Sequence, residues 1–215
     1  MLSLVAPPHL KRFYHSFVST RFRMLDVGCG LNSPTKTQRY FPFCEYHGVD
    51  IDENGLSESD RAYLAGFYKA NLDHDSLDEI PNKYFDVIVM SHVIEHLHNG
   101  LAVLETLAKK LKPGGSFYLE FPGVRSLNVP SARSGFLHFH DDPTHVRLYT
   151  IPEIVNVLLE NRCVIVKAGI RRNGIRLLMT PFLFARGLLL HRDPWSGRLW
   201  DLFGIAEFVY ARKRP

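Results

Sequence analysis

Hydrophobic and polar positions follow two rhythms along the chain. Short apolar runs with strand character occur at RFRMLDV (21–27), CEYHGVD (44–50), GFYKANL (66–72), YFDVIVM (84–90), GSFYLEF (115–121), RCVIVKAGI (162–170) and AEFVYARK (206–213). YFDVIVM is almost continuously apolar, the pattern of a strand covered on both faces. Between these runs the period lengthens. NGLAVLETLAKKLK (99–112) places Leu101, Leu104, Leu107, Ala108 and Leu111 on one helical face, with Asn99 as N-cap and lysines in the last turn. TIPEIVNVLLENR (150–162) opens on Thr150, Pro152 and Glu153, a capping box. NGIRLLMTPFLFARGLLL (173–190) predicts a helix kinked at Pro181. Residues 1–20 form an N-terminal helical segment and 123–149 a loop. Strands alternating with helices predict an α/β fold with a mostly parallel sheet, helices on both faces and ligands at the carboxyl ends of the strands.

Composition narrows this picture. The chain has 215 residues, 46% hydrophobic and 22% charged, without repeats or low-complexity tracts, and reads as one domain spanning 1–215. Three cysteines argue against a disulfide framework and for a reducing compartment. MLSLVA lacks a basic flank and runs into Pro7 and Pro8, so it does not fit a secretion signal. The stretch 177–190 contains Pro181 and Arg186 and falls short of the ~20 residues that span a bilayer. A cytoplasmic location is the expectation. The formal charge of +4 is uneven: residues 162–214 hold 11 Lys or Arg against Asp193, Asp201 and Glu207. That quarter either favours anionic partners or forms an ordinary solvated basic face.

The most informative stretch is MLDVGCGLNSP (24–34). A strand ends in an acid, and a sharp turn follows in which Gly28 and Gly30 permit positive φ and close approach of a ligand. Asn32 stands where a third glycine is usual, and asparagine tolerates the left-handed region. Asp50 lies 20 residues after Gly30, at the end of the second strand, where a carboxylate accepts ribose hydroxyls. Ser33-Pro34 occupies the place where a dinucleotide fold sets its third glycine against a pyrophosphate. A nucleoside ligand without pyrophosphate suits the turn better.

Four segments in order, LDVGCG (25–30), GVDID (48–52), FDVIVMSHVIEHL (85–97) and LKPGGSFYLEFP (111–122), resemble the motifs of class I S-adenosylmethionine (SAM)-dependent methyltransferases of the type 11 and 23 kind. Residues 142–169 extend the resemblance. It implies a Rossmann-like seven-stranded sheet in the order 3-2-1-4-5-7-6 with the last strand antiparallel. SAM is the implied cofactor and S-adenosylhomocysteine its product. Gly28 and Gly30 then approach the methionyl and ribose part, Asp26 resembles the acid that holds the ammonium, Asp50 takes the ribose, and Ile51 packs on adenine. ANLD (70–73) resembles the adenine-reading segment, with Asn71 where the family has aspartate, and with Leu72 and Asp73 as further candidates. Ser91 and His92 border the methionine end.

Methyl transfer to a hydroxyl needs alignment and a proton acceptor. Two histidine clusters offer one. SHVIEHLH (91–98) contains His92, Glu95 and His96 in an H-x-x-E-H pattern, which as a zinc-protease motif should sit on a helix rather than follow a buried strand. His96 is then a base or a residue that orders the loop. HFHDDPTHVRLYT (138–150) supplies His140 or His145 as base, with Arg147 orienting an acid or pairing with Asp142, or else forms a capped turn into the next helix. Spacing also permits a metal on His140, Asp142 and His145, but the sequence reading assigns none. Cys29 reads as structural, and Cys44 and Cys163 as core.

SHVI stands where DNA and amide-nitrogen methyltransferases carry an N-P-P-Y-like segment, so DNA is not an expected partner. No added RNA-binding domain is visible, so RNA is not favoured. O-methylation of a small molecule or of a glycan, including a lipid-linked glycan, is the leading expectation. The alternatives are a non-catalytic SAM-fold partner subunit and an NAD-dependent oxidoreductase, the latter disfavoured by Ser33-Pro34. Residues 171–200 combine an apolar segment with Arg171, Arg172, Arg176, Arg192, Arg198, Trp195 and Trp200. They fit either weak peripheral membrane contact or a helix buried against the sheet.

Overall fold

The computed structural model describes residues 7–131, 137–189 and 200–215. One seven-stranded sheet organises them: β1 (Phe22–Val27), β2 (Cys44–Asp50), β3 (Leu64–Lys69), β4 (Phe85–Ser91), β5 (Leu111–Pro122), β6 (Cys163–Ile170) and β7 (Ala206–Lys213), in spatial order β3-β2-β1-β4-β5-β7-β6. β7 runs antiparallel to both β5 and β6, and the other pairings are parallel. The helices are α1 (Pro8–Phe17), α2 (Ser33–Tyr40), α3 (Glu58–Arg61), α4 (Gly100–Lys110), α5 (Ile151–Glu160), α6 (Gly174–Leu189) and α7 (Trp200–Phe203).

Alternation within the central strands splits the core. Leu25, Ile88 and Phe117 point to one face and pack with Leu104 of α4 and Leu158 of α5. Their neighbours Met24, Val87 and Tyr118 point to the other and pack with Leu10 and Phe13 of α1 and with Phe41. Each central strand is therefore apolar at nearly every position, as a sheet covered on both faces requires.

Three expectations shift. β3 begins two residues before the predicted start and ends at Lys69, because Asn71 leaves the sheet and gives its N–H to Asp75. β5 begins before Pro113-Gly114-Gly115. Leu111 pairs with Phe85 and Ser116 with Val87, so the turn survives as a bulge inside the strand, with Gly114 at φ 77°. Asn99 does not cap α4 with its side chain; instead Asp73 accepts the Asn99 and His98 N–H groups, and the Tyr149 hydroxyl accepts that of Gly100. The predicted capping box of α5 is present, and Glu153 accepts both the N–H and the hydroxyl of Thr150. Of the N-terminal segment, residues 1–6 lie outside the described residues, as do 132–136 of the 123–149 loop and 190–199 of the basic quarter.

One buried acid ties the start of α2 to the rest. Asp60 is fully buried in a capping box with Ser57 and also accepts the Asn32 and Thr35 N–H groups and the Thr35 hydroxyl. Burial alone would raise its pKa, but the hydrogen bonds from Ser57 and Thr35 overcome that and hold it at about 2. A depressed carboxylate stabilises the fold above its ordinary value and loses that contribution as pH falls through the folded one. Urea denaturation should show stability falling between about pH 4 and pH 2. Asp60→Asn should lose about 2–4 kcal/mol at neutral pH and flatten that acid limb.

Candidate functional site

The turn after β1 passes through left-handed geometry three times, at Gly28 (φ 68°), Gly30 (φ 46°) and Asn32 (φ 63°). A Cβ on Gly28 would stand 2.3 Å from a Val93 methyl, so only glycine fits there. The Gly28 N–H donates to the Val49 carbonyl at 2.8 Å, which carries the β1–β2 pairing into the turn. Gly30 N–H then donates to one Asp50 oxygen at 3.0 Å, and Ile51 N–H to the other at 2.7 Å.

Asp26 lies behind this turn. Its carboxylate accepts the Tyr46 hydroxyl at 2.5 Å, and burial pushes its pKa up to about 6 against the hydrogen bonds from Tyr46 and Ser33. Cys29 is buried, and its thiol is pushed up to about 12 chiefly by that burial, which makes it inert as a nucleophile.

Asp50 divides two cavities. One of about 330 Å³ is bordered by Gly28, Asp50, Ile51, Asn71, Leu72 and Asp73. The other, about 220 Å³, is bordered by Cys29, Gly30, Asp50, Asp52, Gly55 and Leu56. The larger is within the ordinary size range of small-ligand sites. Asp26 and Ser91 border neither, and Ser91 pairs in register with Glu120 at the end of β4. The Asn71 side-chain oxygen accepts the Asp73 N–H, and the Asp73 carboxylate is spent on the start of α4. Asp73 is thus less available for a base than its place in the sequence suggests.

A third cavity, about 210 Å³, opens on the other side of the β4 end. His92, Glu95, Phe139, Asp142, His145 and Trp200 contribute to its wall, together with His96. His96 also borders the 330 Å³ cavity and so stands between the two. Its Nδ1 faces the Thr144 carbonyl at 3.2 Å and the Thr144 hydroxyl at 2.9 Å. His145 Nδ1 faces the Phe139 carbonyl at 2.6 Å, and the two imidazole centres are 4.8 Å apart. The Val146 and Arg147 N–H groups donate to the Glu95 carbonyl, pinning the second histidine cluster to the first. His140, by contrast, is exposed and borders none of these cavities. Arg147 pairs with Glu153 at 2.8 Å and lies over Tyr149, so it does not serve Asp142.

Beneath this cavity runs a buried charge network that the sequence did not announce. His92 (φ 56°) faces Glu95 and Glu120, each at 3.2 Å. Arg171 lies 2.9 Å from Glu120 and donates to Asp201 at 3.0 Å. Tyr118 donates its hydroxyl to Glu120 at 2.6 Å. Burial opposes protonation of His92, but hydrogen bonds to Glu120 and Glu95 overcome it and hold the ring charged, at about 9. Glu120 is likewise held down at about 2 by His92 and Arg171 despite its burial. Asp201, within α7, also accepts the Asn173 N–H, which ties α7 to the segment after β6; the ring of the adjacent Trp200 meets His92 edge-on at 4.9 Å. His92 and Glu120 are 28 positions apart, Arg171 and Asp201 30, and Arg171 and Glu120 51, so no local motif reports these pairs. Only Asp60 had a signal, the Ser57-x-x-Asp60 capping box.

A family profile described as a methyltransferase domain matches residues 7–167. The trans-aconitate 2-methyltransferase of Rhizobium rhizogenes is 32% identical over 113 residues, 51% of this chain and 41% of that protein. The mitochondrial ubiquinone biosynthesis O-methyltransferase of Dictyostelium discoideum is 28% identical over 124 residues, 52% of this chain and 39% of that one. The matched stretch therefore spans about two-fifths of the length of these relatives. A SAM-dependent methyltransferase from Mesorhizobium loti superposes with a TM-score of 0.66 at 16% identity, over 96% of each chain, which shows the fold. The fold and the glycine turn thus define a nucleoside-binding α/β protein. The chain belongs to the class I SAM-dependent methyltransferases.

Proposed function

We propose that the protein moves a methyl group from SAM, held against the glycine turn, to an oxygen of a small-molecule or glycan acceptor in the cavity beside His92. The observation that carries this reading is the position of His96, which borders both the turn-side cavity and the acceptor-side cavity. The turn suits the cofactor: a Cβ on Gly30 would meet only the Gly28 carbonyl, at 3.8 Å, and Asp50 is presented with both oxygens oriented by backbone N–H groups. SAM supplies a methyl on a sulfonium, a leaving group already activated by its charge. The protein's part is to align and to exclude water. Asp50 would take the ribose hydroxyls, Ile51 and Leu72 would flank the adenine, and Asn71 would meet its edge.

At the acceptor, His96 or His145 would take the hydroxyl proton. A carbonyl oxygen only accepts, so the His145 Nδ1 facing Phe139 carries the ring proton and its Nε2 keeps a lone pair. His92 is unsuited to that task, since it is already protonated between two carboxylates. The test is transfer of labelled methyl from SAM into a native extract, fractionated into lipid-linked and polymeric glycans, small metabolites, proteins and nucleic acids. Label should enter a glycan or metabolite fraction. His96→Ala and His145→Ala should lower turnover by about 10²–10⁴ without loss of SAM binding. SAM binding with no label in any fraction would favour a partner subunit instead.

We further propose that α6 rests on an anionic membrane surface. Among the described residues no helix is long and apolar enough to cross a membrane. Yet α6 is not buried against the sheet: Leu178 is 84% and Phe182 65% exposed, with Ile175 and Met179 on the same face and Arg172 and Arg186 exposed nearby. Arg192, Trp195 and Arg198 lie outside the described residues. An exposed apolar stripe with basic flanks suits an anionic headgroup layer. Co-sedimentation with anionic vesicles at low salt should be lost at high salt, with neutral vesicles and in Leu178→Glu/Phe182→Glu. Equal recovery with neutral vesicles would contradict it.

A further inference from the structure

The two histidine clusters of the sequence meet at one point that neither motif defines alone. Glu95 and His96 come from the turn after β4, and His145 comes from the loop before α5. Their candidate donor atoms all lie within 4.8 Å of one another. We propose that Glu95, His96 and His145 bind a divalent transition-metal cation of the zinc class in the wall of the acceptor-side cavity.

Three observations support the assignment. The first is an orphaned donor: Glu95 is 1% exposed, its Oε1 faces His92, and its buried Oε2 has no hydrogen-bond partner among the described residues. A buried carboxylate oxygen without a donor is costly, and a cation removes that cost. The second is the tautomer of the two rings. His145 Nδ1 donates to the Phe139 carbonyl, and His96 Nδ1 donates to the Thr144 carbonyl. Both rings therefore turn an unprotonated Nε2 away from these bonds, and metal-bound histidines are oriented by the same kind of backbone contact. The third is the donor set. Two imidazoles and one carboxylate match zinc-type sites that keep open positions, whereas magnesium prefers oxygen throughout. Asp142 Oδ2, 3.9 Å from His145 Nε2, offers a further oxygen beside the set.

All three ligands border the 210 Å³ cavity, so an open coordination position faces the acceptor. An oxygen ligand there, such as a hydroxyl or carboxylate, would be oriented by the cation. A hydroxyl there would also lose its proton more readily, to the Asp142 carboxylate that borders the same cavity or to solvent. Metal binding stands on the geometry alone; this use in catalysis rests on the methyl-transfer reading. In the loaded protein His96 and His145 act as ligands rather than as bases.

The experiment is calorimetric titration of chelator-treated full-length protein with Zn²⁺, followed by the visible absorption of the Co²⁺-loaded form. One equivalent should bind, with absorption bands of nitrogen–oxygen coordination. His145→Gln and Glu95→Gln should each weaken binding by at least about 10-fold, while His15→Ala, at an exposed position of α1, should not. Circular dichroism confirms that each variant is folded, and the wild-type Co²⁺ spectrum stands without any variant. No stoichiometric binding, weakening equal to that of His15→Ala, or selective binding of Mg²⁺ over Zn²⁺ would overturn the proposal. Methyl transfer that persists in metal-free protein and still depends on His96 would leave the histidines as bases and remove the metal from catalysis.

Discussion

The Asp50 carboxylate accepts the Gly30 N–H at 3.0 Å and the Ile51 N–H at 2.7 Å, and this pair of bonds joins the end of β2 to the turn after β1. Its formation needs a backbone that reverses through positive φ at Gly28, Gly30 and Asn32. That backbone in turn needs an anchor, which Asp60 supplies by accepting the Asn32 and Thr35 N–H groups from the opposite side. Without these acids the two strands would still pair, but the cavities on either side of Asp50 would lose their shared wall. The donor half of the protein is therefore a problem in backbone geometry, solved by glycine and by two carboxylates in different surroundings. Asp60 is sealed and structural, whereas Asp50 is open and presented.

The side of the protein that bears the 210 Å³ cavity is organised by charge. Glu120 lies between His92, Arg171 and Tyr118, and Arg171 reaches on to Asp201. Each ion in such a chain is tolerated in the interior because the next neutralises it; removing one leaves its neighbour buried and uncompensated. The chain crosses from β4 through β5 to the end of β6 and then to α7. Trp200 and the loop carrying His145 are thus set against the same wall as His92 and His96. The histidines proposed to act at the acceptor and the charged one differ in surroundings rather than in type. His92 faces two carboxylates and holds its proton, while His145 faces a carbonyl and keeps a lone pair.

Much of this was legible in the sequence, for reasons specific to each element. β2 and β7 were read to the residue because both are buried over most of their length and end at charged positions. The turn was legible because a strand running into G-x-G needs a backbone reversal at positive φ, and Gly28, Gly30 and Asn32 all lie there. β3 was misplaced because it is an edge strand, half-exposed along most of its length. α2 went unseen because SPTKTQRY is polar and buries only Pro34 and Thr37. The meeting of His96 with His145, and of Glu120 with Arg171, depends on the order in which strands pack, which no local pattern encodes. The sequence left open whether the 173–190 helix is covered, because an apolar stretch does not reveal whether a partner surface is present.

The account rests on the claim that the Asp50-bearing turn holds SAM rather than a dinucleotide. Calorimetric titration of the wild type and of Asp50→Ala, with SAM and separately with NAD, tests it most directly. The account predicts one bound SAM per chain, weakened about 10–100-fold by the substitution as a charged hydrogen bond is lost, and no measurable heat with NAD. Binding of NAD in preference to SAM, or SAM binding indifferent to Asp50→Ala, would contradict it.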